Sequence, residues 1–140
     1  MKIAKLKLVE LADDNYHIFV SVKVNGNKVW FIVDTGASGS VVDKDYYSAK
    51  LVSKYKTIKQ EVHGLHSTQA ESYVGKLKTL EIGKLMLNNI SIACIDLNHV
   101  NNAYKQRKLK LKISGIVGSD LLLKHGIIID YKQLALFKSE

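Results

Sequence analysis

A single cysteine, Cys94, stands in the whole sequence. One thiol cannot close an intrachain disulfide, so nothing in the chain calls for an oxidising compartment. It sits in the apolar run Ile90-Ser-Ile-Ala-Cys-Ile95, where it reads as a small buried hydrophobe; His99 is the only base near it in sequence. Proline is absent. So are low-complexity segments and any linker-like stretch. No apolar run approaches the ~20 residues that a membrane span needs. The opening MKIAKLKLVELADD is broken by Lys2, Lys5 and Lys7, so it lacks the continuous apolar core of a signal peptide. The expectation is a cytoplasmic protein, with a leader removed upstream of residue 1 left open.

Acidic residues are scarce beside basic ones: 13 Asp and Glu against 21 Lys and Arg, a net charge of +8. The lysines are scattered and often alternate with apolar residues, as solvated strand faces do. The densest cluster is Lys105, Arg107, Lys108, Lys110 and Lys112. The reading is a basic surface that keeps the protein soluble, with no nucleic-acid partner expected. Apolar residues make up 46% and charged residues 24%, a globular rather than a disordered composition. The length of 140 residues suits one domain, 1–140, around one core.

Ile18, Val20, Val22 and Val24 alternate with His17, Phe19, Ser21 and Lys23, which predicts a strand. Asn25-Gly26 is a strong hairpin signal. The return strand, Lys28 to Val33, becomes apolar on both faces and so belongs inside the sheet. It delivers Asp34, and a buried strand is a costly place for a carboxylate without hydrogen bonds or a function. Asp43 is a candidate cap for a short helix reaching about Val52. Thr57 to Val62 and Ser72 to Ile82 read as strands joined by the polar tip HGLHSTQA. Lys84 to Leu87 and Ile90 to Ile95 read as a further hairpin across Asn88-Asn89. Asn98 to Lys108 has helical spacing. A C-terminal block follows: Gly115 to Gly118, a short helix from Ser119 to Lys124, a strand from Gly126 to Asp130 and a last strand from Leu134 to Phe137. Many short strands with few helices predict a mostly β, barrel-like fold.

Ile32-Val33-Asp34-Thr35-Gly36-Ala37-Ser38 resembles the active-site loop of the aspartic proteases. Ile116-Val117-Gly118-Ser119-Asp120-Leu121-Leu122 resembles the second signature of their single-domain, retropepsin-like branch, including its bacterial relatives. A Gly-bearing hairpin lies between the two, where that family carries its flap. The resemblance spans roughly residues 16–138. It implies a closed β-barrel of the acid protease fold, with short helices and a flap hairpin near residues 61–74.

The resemblance also implies an aspartic endopeptidase needing no cofactor or metal. Two carboxylates sharing one proton can activate water, one as general base and the other as general acid. This chain has one Asp-Thr-Gly, so the second carboxylate would come from a second subunit of a homodimer. In that reading Asp34 is base and acid, Thr35 grips the partner's backbone, and Gly36 makes the turn with its N–H toward the carboxylate. Peptide or protein substrate would be contacted by Ala37, Ser38, the flap residues His63, Gly64 and Leu65, and Ile116 and Val117. Ala37 lacks the hydroxyl that pepsin-type enzymes often carry there, so the expected working range is mildly acidic to near neutral.

Two departures weigh against simple transfer. Retroviral enzymes often pair an Asp two residues beyond the Gly with an Arg after the second motif; here those positions are Ser38 and Ser119. The flap tip His63-Gly64-Leu65-His66 has one glycine. His63 and His66 lack a third ligand for a metal set. Asp120 fits a helix start better than a second catalytic carboxylate. Asp130 reads as a turn residue and Asp13-Asp14 as a solvated break. The alternative is a catalytically weak or inactive peptide-binding or dimerisation module on the same fold.

Overall fold

Ile18, Val20, Val22 and Val24 are all buried, and they form the inner face of β2 (Asn15–Val24). The computed structural model describes residues 1–50 and 73–139. Asn25 (φ 48) and Gly26 (φ 86) make the expected two-residue turn. They set a register that runs from Val24↔Asn27 to Phe19↔Ile32 between β2 and β3 (Asn27–Val33). The turn is fixed to the neighbouring strand of the same sheet, since Asn25 Oδ1 accepts from Thr79 N–H and Asn25 N–H donates to the Thr79 carbonyl.

The lysine-broken N-terminus is a strand, β1 (Lys2–Ala12), paired antiparallel with β2. Its Ile3 and Leu6 are buried while the lysines face outward. After the Asp34 turn come β4 (Val41–Asp43) and α1 (Lys44–Lys50). Asp43 caps that helix: its Oδ2 accepts from Tyr46 N–H at 3.3 Å. Its other oxygen accepts from Leu97 N–H at 3.0 Å, so the buried carboxylate satisfies one local donor and one 54 residues away.

The hairpin expected across Asn88-Asn89 is not formed. β5 (Tyr73–Ile82) and β6 (Leu85–Ile95) turn instead at Gly83-Lys84, and β6 continues through both asparagines. Gly83 sits at φ 58 with the Ile3 carbonyl where a Cβ would go, so glycine alone fits this turn. Asn89 takes φ 52 within the strand, yet Leu77↔Ile90 and Thr79↔Asn88 stay in one register. Left-handed tolerance in asparagine therefore marks an irregular strand residue here, not a turn.

Next come α2 (Asn98–Gln106), β7 (Ile113–Val117), α3 (Ser119–Lys124), β8 (Ile127–Asp130) and β9 (Ala135–Lys138). The order β3-β7-β4-β6-β5-β2, closed by β2–β3 pairing, is a six-strand barrel; β1, β9 and β8 extend it. One cluster fills the barrel, with Val20, Phe31, Leu80 and Val117 fully buried. A second lies outside it, where Phe19 and Ile113 are covered by Leu97 and Tyr104. The strand expected at Thr57 to Val62 and the flap tip with His63, Gly64, Leu65 and His66 lie outside the described residues.

Candidate active site

β3 is central because it pairs with β2 on one side and β7 on the other. β7 also pairs with β4 on its far side, Val41↔Ile116 and Val42↔Gly115. The chain therefore leaves β3 at Val33, crosses the end of β7 as residues 34–40 and returns as β4. Gly115 allows this close layering, since the Phe31 ring occupies the space a Cβ would take, 2.3 Å from its ring carbon.

Backbone bonds hold the loop to the second motif. Asp34 N–H donates to the Val117 carbonyl at 3.0 Å, continuing the β3–β7 ladder one step. Ala37 N–H returns to the Asp34 carbonyl, and Ser119 N–H reaches the Ala37 carbonyl at 2.8 Å. Within the loop, Gly36 N–H donates to Asp34 Oδ1 at 2.9 Å. The half-buried Asp34 carboxylate is thus fixed by a neighbour while Thr35 and Gly36 stay exposed. An anionic oxygen held by an N–H is fixed in orientation.

The serines at Ser38 and Ser119 still join the two motifs. Ser119 Oγ donates to the Ser38 carbonyl at 3.4 Å. Ile116 is partly exposed and belongs to the outer cluster. Val117 was expected among the substrate contacts, but its side chain is fully buried in the barrel. Strand alternation turns it inward when Ile116 turns out; what Val117 offers the loop is its carbonyl.

Three residues not singled out for the site bear on it. Ser40 is buried and bridges the motifs: Gly118 N–H donates to its Oγ at 2.8 Å, and that hydroxyl donates to Asp120 Oδ1. Asp120 lies in the first turn of α3, where Leu121 N–H and Ser40 N–H also bond it. It is a structural anchor, as its helix-start position suggested. His17 is the third. The β2–β3 register pairs Phe19 with Ile32, so two residues further along lie His17 and Asp34. His17 Nδ1 is 2.8 Å from Tyr104 Oη of α2. Burial lowers the His17 pKa, opposed by the Asp34 charge and aided by Arg107. Burial pushes the Tyr104 hydroxyl up to about 12, with Asp34 adding to it. Hairpin arithmetic from Asn25-Gly26 already contains the His17–Asp34 relation.

Cys94 is fully buried, and desolvation pushes its thiol up to about 11. It is a core residue. Among the described residues, no three His, Cys, Asp or Glu side chains gather where they could hold a metal ion. No described helix is long and apolar enough to cross a membrane.

Residues 20–121 match the model of a family described as aspartyl protease. A comparison with curated protein sequences returns no match. Solved structures share the fold. A retropepsin-like aspartic protease from Rickettsia conorii has 24% identity and a TM-score of 0.59, covering 97% of this chain and 87% of its own. The retroviral protease-like domain of Ddi1 from Leishmania major has 17% identity and a TM-score of 0.57, with 87% of each chain covered. EIAV protease, solved with the inhibitor HBY-793, has 16% identity and a TM-score of 0.58, covering 82% of this chain and 93% of its own.

Proposed function

Because the chain belongs to the aspartyl protease family, we propose that it is an aspartic endopeptidase whose site takes one Asp34 from each subunit of a homodimer. The observation that carries the proposal is the Asp34 loop itself: a half-buried carboxylate at the end of a barrel strand, held by Gly36 N–H, with the loop tip open.

The chemistry needs a second carboxylate. Two such groups in contact resist ionising together, so one holds the shared proton. The ionised one draws a proton from water as that water attacks the peptide carbonyl carbon. The other protonates the carbonyl oxygen; as the tetrahedral intermediate collapses, the first carboxyl passes its proton to the departing nitrogen and the second takes one back from a hydroxyl, which releases amine and acid and restores the pair. Thr35 and Gly36 shape the turn that presents the carboxylate. A peptide bound as an extended strand would lie across the two-fold axis. Ala37, Ser38 and Ile116, with the flap residues His63, Gly64 and Leu65, are the proposed contacts.

Support for pairing of two copies comes from the free edge of the sheet. Among the described residues β8 ends the strand order, so one side of Ile127–Asp130 has no neighbour. Ile128 is 54% exposed there, with Tyr131 and Leu123 also exposed. An apolar open edge invites another strand, and a C2 contact supplies an identical one.

The test is digestion of a diverse peptide library at several pH values, read by mass spectrometry, with Asp34→Asn alongside. Products that vanish in the variant support the proposal. Peptide binding without products from either protein would instead favour a binding module on this fold.

A further inference from the structure

Two of the five residues of the basic cluster line a groove as well as facing solvent. Lys110 and Lys112 meet Lys7 of β1 and Lys28 of β3 around a groove of about 530 Å³, with Trp30 in its wall. Three separate segments converge there, and among the described residues no acidic side chain lines the groove. All four lysines are exposed. Four ammonium groups in one concavity, without a built-in counter-charge, raise the local concentration of anions. The wall between them is apolar, with Val29, Leu109 and Leu111 beside Trp30.

We infer that this groove binds an acidic peptide segment in which carboxylates alternate with apolar side chains. The ammonium rim meets the carboxylates while the wall takes the apolar groups. Nucleic acid is the rival polyanion, and two features disfavour it. Trp30 is partly buried in the outer cluster, and Lys7 Nζ lies 5.6 Å from its ring centre, so its face is not open for base stacking. Among the described residues no arginine lines the groove to grip phosphate by a paired fork.

The position gives the site a use. Trp30 and Asp34 are four residues apart, so they share a face of the β3 path about 13 Å apart. An acidic segment in the groove would hold the rest of its chain near the Asp34 loop. That link to cleavage rests on the proposed function; the binding does not.

Trp30 is the only tryptophan, so its fluorescence reports on the groove directly. The full chain carrying Asp34→Asn, which prevents digestion, would be titrated with a peptide of alternating Glu and Leu and, separately, with oligothymidylate. Calorimetry on the same samples gives a readout independent of fluorescence. The expected result is saturable peptide binding, weakened about tenfold by Lys110→Glu with Lys112→Glu. Lys2→Glu with Lys132→Glu, the same charge change elsewhere, should leave it in place. No saturable binding, equal weakening by both double variants, or tighter binding of oligothymidylate would each overturn the inference. Failure of these binding tests while the chain that keeps Asp34 still cleaves peptides would overturn the groove inference and leave the protease reading standing.

Discussion

Ser40 Oγ donates a 2.6 Å hydrogen bond to Asp120 Oδ1 across 80 residues of chain. The same hydroxyl accepts from the buried Gly118 N–H. One small side chain thus ties the end of the Asp34 loop to both the second motif and the start of α3.

Ser40→Ala removes the acceptor of a buried N–H and a donor to Asp120. The expected cost is about 1–3 kcal/mol, read as a lower denaturation midpoint. Asp120→Asn, which keeps an acceptor oxygen for the Ser40 hydroxyl, should cost less. Equal stability of Ser40→Ala and the wild type would remove Ser40 from this role.

Asn101 holds α2 to the strand beside the loop. Its Nδ2 donates to the Ile113 carbonyl at 3.0 Å and its Oδ1 accepts from Ile113 N–H at 2.9 Å, both buried. Asn101→Leu keeps the bulk and orphans both backbone groups, at about 2–4 kcal/mol. Asn101→Asp keeps the acceptor but turns a carboxylate oxygen on the Ile113 carbonyl, so it too should destabilise. Urea denaturation of the two variants checks this; a loss in neither would contradict it.

The β2–β3 hairpin and the delivery of Asp34 by an inner strand were legible because they rest on local signals. Strict alternation from Ile18 to Val24, the Asn25-Gly26 turn and the small residues around Gly36 each have few structural solutions. The Asn88-Asn89 hairpin misled because asparagine satisfies a turn and an irregular strand residue alike, and the nearby Gly83 decided between them. The relation of His17 to Asp34 was legible from the hairpin register, whereas Ser40 and Asn101 were missed for another reason. Each works through a partner dozens of residues away, and a lone Ser or Asn carries no mark of the distant N–H it will meet.

Cys94 should be inert in the folded protein. With its thiol pushed up to about 11 and no exposed surface, almost no thiolate is available at neutral pH. Alkylation by iodoacetamide should proceed only as fast as the protein opens, and immediately in denaturant. Fast labelling of the native protein would contradict the buried-core assignment.

Acid should destabilise the fold in part through His17. Burial lowers its pKa from 6.5, so the folded state binds fewer protons than the unfolded chain. That contribution is complete above about 6.5 and is lost as pH falls through the folded-state value. His125 is shifted the same way, so the comparison must isolate one group. Stability measured from pH 8 to 5 should fall more steeply in the wild type than in His17→Gln, which keeps an acceptor for Tyr104. Parallel profiles would mean that His17 does not contribute.

The central claim is that two copies of Asp34 form one site. The most direct measurement mixes wild-type and Asp34→Asn chains, lets subunits exchange, and follows peptide cleavage against the mole fraction of wild type. If each site needs an Asp34 from both subunits, activity per wild-type chain falls in proportion as the variant is added. Cleavage that stays constant per wild-type chain, or that Asp34→Asn alone performs, would contradict the shared site.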